Sequence, residues 1–349
     1  MPVTAPVVLA IDAMSGDHGL KTTVAAALLV LAQRPKLHLA LVGDERQLKT
    51  ALKKARPEDR SVLERVQLVQ ASEVVGMDEA PSKALRNKKD SSMRVAINLV
   101  RDGRAHAAVS AGNTGALMAT AKFVLKTLPG IDRPAIISLM PSVNGKVHML
   151  DLGANAECTP EQLVQFAVMG SALVTAVYGI DRPRVALLNI GEEEIKGNET
   201  IKQAAQLLQH SHLNYVGYVE GDGIFLRDLD VVVCDGFSGN IALKAGEGVA
   251  KLIAQFMREA FSRTAMTKLS ALAAMPVLKD LRRRMDPGNY NGATFVGLNG
   301  IVIKSHGGAD ANAFAAAIGV ALREVEHEVP QRITHLLQTI QPNAARHSA

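Results

Sequence analysis

Whatever chemistry this chain performs falls to neutral amides, small hydroxyls and a few cations set in glycine-rich turns. The stretches "SAGNTG" (110–115), "NIGEEEIKG" (189–197), "DGFSGN" (235–240) and "IKSHGGAD" (303–310) each follow a short apolar run. Glycine admits close backbone, Asn and Ser donate hydrogen bonds, and a helix start adds unpaired N–H groups with partial positive charge. Asn113, Thr114 and Gly115, then Ser238, Gly239 and Asn240, and then Ser305 to Gly308 are therefore candidate anion cradles. Lys196, Lys244, Lys304 and His306 bring cations to the same loops, and Asn155 and Asn189 bring further amides. Lys88 and Ser91, within "PSKALRNKKDSSM" (81–93), pair a cation with a helix cap. This set suits phosphate. One such loop means little, because Gly and Asn also end strands for steric reasons; the inference rests on their number, with all of them expected on one sheet edge.

Other chemistries lack their residues. No Gly-x-x-x-x-Gly-Lys-Ser/Thr loop occurs, and no Gly-x-Gly-x-x-Gly follows a strand, which disfavours nucleotide and hydride chemistry. There is no Gly-x-Ser-x-Gly elbow, and Cys158 has no neighbouring His. Asp12, Asp17, Asp235 and Asp310 end strands without metal-ligand spacing; Asp12 and Asp235 are expected to orient a Lys or His, and neither metal nor cofactor is expected.

The elements that must carry these loops are legible in the pattern. Runs of four to six Val, Ile, Leu and Ala alternate with helical patterns, as in "VVLAI", "RVALLNI" and "GIVIK". Continuous apolar runs mean strands buried on both faces, so the fold class is α/β with a doubly wound, largely parallel sheet. Thr159-Pro160-Glu161-Gln162 predicts a helix start with a capping box. From Glu247 to Met285 the pattern changes to a helical hairpin. Met266, Leu269, Leu272, Met275, Leu278 and Leu281 are spaced as an apolar face beside Lys268, Lys279, Arg282, Arg283 and Arg284. That segment reads either as a dimerisation hairpin or as a basic amphipathic tip touching a membrane or an acidic partner.

Composition sets the bounds. A chain of 349 residues with 48% hydrophobic content builds one large domain or two modest ones. Net charge +5 and a pI near 9.2 favour anionic partners in a general way. Aromatic content of 3% is poor for base stacking, so no nucleic-acid partner is expected. Two cysteines make no disulfide framework, and a cytoplasmic location is expected, without signal peptide or membrane span.

Seven motifs in order, "AIDAMSGDHG", "PSKALRNKKDSSM", "SAGNTGALMA", "DLGAN", "NIGEEEIKG", "DGFSGNIALK" and "IVIKSHGGADANAF", resemble the bacterial phosphate acyltransferase family of phospholipid synthesis, the PlsX type. The resemblance spans about Val7 to about Val325. It implies transfer of a long-chain acyl group from acyl carrier protein to inorganic phosphate. A membrane glycerol-3-phosphate acyltransferase would consume the product. It also implies a homodimer, peripheral membrane association through 265–285, and the two-domain architecture of isocitrate and isopropylmalate dehydrogenases and phosphotransacetylases. The first domain would comprise 1–108 plus 290–349, the second 109–289 with the hairpin 247–285. Phosphate and acyl-phosphate contacts would fall to the loops named above, with Lys196, Lys244 and His306 supplying charge. Two rivals stand beside this reading: a short-chain phosphate acyltransferase acting on acyl-CoA, and a non-catalytic peripheral membrane scaffold.

Overall fold

A computed structural model describes residues 6–55, 59–285 and 287–340. Eleven strands form one sheet: β1 (Val7–Asp12), β2 (Leu37–Gly43), β3 (Val66–Gln70), β4 (Ala107–Ser110), β5 (Ala135–Ser142), β6 (Gly145–Leu150), β7 (Arg184–Leu188), β8 (Asn214–Val219), β9 (Val231–Val233), β10 (Ala293–Val296) and β11 (Ile301–Lys304). Their order is β3-β2-β1-β4-β11-β10-β5-β6-β9-β7-β8. The apolar runs became strands because helices cover both sheet faces, leaving no polar side for alternation. Leu9 and Ile11 pack with Leu39 and Phe314 on one face, while Ala10 faces Ile97 and Leu117 on the other. That other face forms a single apolar layer along the whole sheet, from Val42 to Val232. On the first face the second half has its own cluster, around Phe166 and Leu187.

Pairing is parallel from β3 to β11 and again from β6 to β8, while β10 pairs antiparallel with β11 and β5, and β5 with β6. The two parallel blocks therefore run in opposite directions. This corrects the expectation of one shared edge. Loops after β1, β4 and β11 open on one edge, whereas those after β6, β7 and β9 open on the other.

Helix boundaries mostly follow the predicted signals. Thr159 and Gln162 form the capping box, with Pro160 in the first turn of helix Pro160–Tyr178. The hairpin differs. Its first helix runs Gly236–Ser262, eleven residues longer at its start than the Glu247 boundary, so Ser238, Gly239 and Asn240 form a first helical turn rather than a loop. Two short helices, Ala265–Ala273 and Met275–Met285, follow. The side chains of Arg282, Arg283 and Arg284 lie outside the described residues.

Candidate active site

β1 and β4 are the switch point of the first block, where the chain's helices change sheet face, and ligands bind at such crevices. Asp12 ends β1 there. It is fully buried, and its Oδ2 accepts a hydrogen bond from Ser110 Oγ at 2.7 Å. Ser15 Oγ donates to the Asp12 carbonyl at 2.8 Å and accepts from Ala111 N–H at 2.9 Å. Burial raises the Asp12 pKa; Ser110, Ser92, Met14 and Ser15 oppose the shift. Asp12 Oδ1 lacks a partner. This carboxyl fastens the β1 and β4 loops beneath the site; its side-chain partners are serines rather than the Lys or His expected from the sequence.

The β11 loop closes over them. Asp17 N–H donates to the Gly307 carbonyl at 2.9 Å, and a Cβ on Gly16 (φ +83°) would lie 3.0 Å from that same oxygen. Only glycine at 16 gives both the backbone angle and the clearance. Lys304 lies at the base of this junction, its Nζ donating to the carbonyls of Ala111 (3.5 Å) and Ser305. Burial pushes the Lys304 ammonium down to about 8, Asp17 opposing and Lys244 adding to the shift. His306 is exposed at the rim, and Gly308 N–H donates to its Nδ1 at 3.0 Å. In the neutral ring the proton then sits on Nε2 as a donor. Asn291 steadies the same turn, donating to Ser305 Oγ at 2.8 Å and accepting from His306 N–H at 2.8 Å.

Lys244 arrives from the other block. Nine residues beyond the Asp235 cap, about 13 Å of helix, carry it back across the sheet to within electrostatic reach of Lys304. It also pairs with Glu247 at 2.9 Å. Lys304 and His306 thus share one junction that feels the Lys244 charge, with the helix start at Thr114 and Gly115 beside β4.

Several predicted residues hold structure instead. Asn113 caps helix Thr114–Leu125, Oδ1 accepting from Ala116 N–H at 2.9 Å while Nδ2 donates to the carbonyls of Met77 and Glu79. Gly115 makes room for Pro81, whose Cγ would lie 2.8 Å from an added Cβ. Ser91 caps helix Ser92–Arg101, and Lys88 Nζ donates to the Val74 carbonyl at 3.1 Å. Asp235 accepts from Ser238 N–H at 2.8 Å and Ser238 Oγ at 3.0 Å, a helix cap rather than an orienting group. Asn155 is buried, donating to Asp151 and the Pro134 carbonyl, both at 2.9 Å. Asn189 braces the following loop through Gly191 and Lys196 carbonyls. Lys196 is exposed on a loop of the second block and Asn240 is exposed in the first turn of helix Gly236–Ser262.

Asp151 and Ser15 escaped the sequence reading, which named Asp17 without its place at this junction. Asp151 is wholly buried and accepts from Ile136, Ala154 and Asn155 N–H groups and from Asn155 Nδ2. Asp17 and Ser15 hold the main junction. Each sits within a motif already singled out, "DLGAN" or "AMSGD", so the segments were visible although the partners were not.

Among the described residues no cluster of three or more His, Cys, Asp or Glu is placed to hold a metal ion, and no helix is long and apolar enough to cross a membrane. Burial, with Asp151 and Asp235 nearby, pushes the Cys158 thiol up to about 12; Cys234 is buried and also shifted upward. Neither is poised as a thiolate nucleophile.

An open, largely parallel α/β sheet with cations and helix starts at its switch point defines the class: a doubly wound α/β fold. A phosphotransacetylase from Streptococcus pyogenes has this fold, at TM-score 0.61, 17% identity and 94% coverage of each chain. The fatty acid synthesis protein family model matches residues 7–332, and the chain belongs to that family. It is 60% identical to the phosphate acyltransferase of Methylococcus capsulatus (93% of this chain, 95% of the relative) and 58% identical to that of Alkalilimnicola ehrlichii (97% and 98%).

Proposed function

We propose that the protein transfers a long-chain fatty acyl group from acyl carrier protein to inorganic phosphate, giving acyl phosphate for phospholipid synthesis. The observation that carries this reading is the Lys304 junction: a half-buried cation near Asp17, Lys244 and His306, with no activated nucleophile in its bonding network. Phosphate is itself the nucleophile. Its oxygen forms a bond to the thioester carbonyl carbon, the C–S bond breaks, and the carrier thiolate leaves. That thiol has a pKa of about 8.5, so departure needs little acid catalysis. The protein's part is to hold phosphate against the carbonyl and stabilise the oxyanion. Lys304, Lys244 and the Thr114–Gly115 N–H groups would hold phosphate, and His306 Nε2–H would face the developing oxyanion.

The family membership and the names of the relatives support this activity; carrier-protein preference over CoA is our extension. The exposed arm supports two further parts of the reading. Phe256, Leu269 and Val277 are 59%, 63% and 71% exposed, and no residue of helix Ala265–Ala273 is buried. We assign the arm to a homodimer contact and to a membrane surface, where a glycerol-3-phosphate acyltransferase would take the product. We likewise keep the division into 1–108 plus 290–349 and 109–289, the junction lying between them. The test mixes purified protein, palmitoyl-carrier protein and phosphate. Phosphate-dependent thiol release with a hydroxylamine-trappable acyl product is expected; its absence, or equal turnover of acetyl-CoA, overturns the reading.

A further inference from the structure

Two parallel helices, α1 (Leu20–Gln33) and α2 (Glu45–Ala55), leave a groove of about 1150 Å³ between them. Its α1 wall is the stripe Leu20, Val24, Ala25, Leu28, Leu29 and Ala32, and its α2 wall carries Thr50 and Ala51. From Leu20 to Ala32 that stripe is about 18 Å long. Leu29 is 40% exposed and Leu20, Ala25 and Leu28 are half-buried along it, while Val24 is buried in the core; partly open apolar surface of this kind suits a face that something covers.

The mouth tells what. α1 starts directly after the Asp17–Gly19 loop that is bonded to Gly307, so the groove opens on the side of the β11 loop. Lys21 and Arg46 line the same end, each in the first turn of its helix. Cations there oppose the helix dipole. α1 compounds this: its cap, Gly19, makes no side-chain hydrogen bond, and its first turn holds no acid. The end nearest the site thus carries two cations with Glu45 beside Arg46, the middle is apolar along α1, and Lys54 and Asp59 stand at the far end.

We propose that this groove binds the fatty acyl chain of the substrate, tail along α1 and head toward Lys21, Arg46 and the phosphate junction. The proposal rests on the acyl substrate inferred above and names where that chain lies. Burying hydrocarbon gains about fourfold in affinity per methylene, so the groove sets chain-length preference.

Ala25→Trp and Thr50→Trp fill the groove from opposite walls; neither position is buried. With palmitoyl and butyryl donors compared, each variant should lose about tenfold or more in kcat/KM for palmitoyl, the worth of about two buried methylenes, and keep butyryl turnover. Equal loss on both donors, or no loss, overturns the groove while leaving the activity standing. Binding is read separately by the fluorescence of cis-parinaric acid, which needs no turnover. Affinity weakened about tenfold in both variants supports the groove even if the wild-type protein proves inactive on phosphate, and unchanged affinity refutes it. A change in oligomeric state with chain-length preference intact assigns the groove to a contact between copies and also refutes it.

Discussion

Asp12 and Ser110 stand 98 residues apart in the chain, yet Ser110 Oγ donates to Asp12 Oδ2 at 2.7 Å in a fully buried setting. That bond joins the ends of β1 and β4 at the switch point. Ser110→Ala removes the donor and leaves the carboxyl under-satisfied, at about 1–3 kcal/mol. Urea denaturation should show this loss at neutral pH. Asp12→Asn removes the buried charge and should be the milder change of the two.

Lys304 ties the site to pH. Its ammonium is held near 8, so the charge available to phosphate falls as pH rises through that value. The KM for phosphate should therefore climb above about pH 8, with kcat for saturating phosphate less affected. Lys304→Met should raise that KM about tenfold or more at neutral pH, since a charge-assisted hydrogen bond is worth about 1.5–3 kcal/mol. Steady-state kinetics across pH test both.

A Cβ on Gly239 would lie 1.9 Å from the Asp151 carbonyl oxygen, whereas Gly248, in the same helix, has nothing within 4 Å. Gly239→Ala should destabilise by about 3 kcal/mol or prevent folding, because backbone must move in a packed site. Gly248→Ala should stabilise by up to about 1 kcal/mol through helix propensity. Thermal melts of the pair separate close approach from general helix effects.

Glu324 is fully buried, its Oε1 accepting from Thr294 Oγ1 and its Oε2 without a partner. Burial raises its pKa from 4.5 to about 7. The folded state then holds a proton that the unfolded state has released, so stability falls as pH rises from the lower value to the higher. The full window is worth about 3 kcal/mol. Glu324→Gln should flatten this slope, with urea midpoints at about pH 5 and about pH 8 as the check.

Leu269 and Leu272 are 63% and 65% exposed on the arm. Changing both to Glu should abolish co-sedimentation with anionic phospholipid vesicles. Retained lipid binding would assign that face elsewhere.

The glycine loops, the strand–helix alternation and the Thr159 capping box were legible in the sequence because each is a local matter of backbone freedom, two-faced burial or a four-residue hydrogen-bond pattern. Strand direction was not. Whether the chain crosses over or turns back after β5 leaves every apolar run unchanged, so loops predicted to share one edge were split between two. Side-chain employment was equally hidden: Asn113, Asp235 and Ser91 look like ligand groups in isolation, and their cap donors are visible only once helices start there. Residue types alone pointed to an anion handled without covalent help. Tertiary structure decided which cations meet, because Lys304 and Lys244 lie on elements whose distance depends on sheet topology and helix length rather than on any local rule.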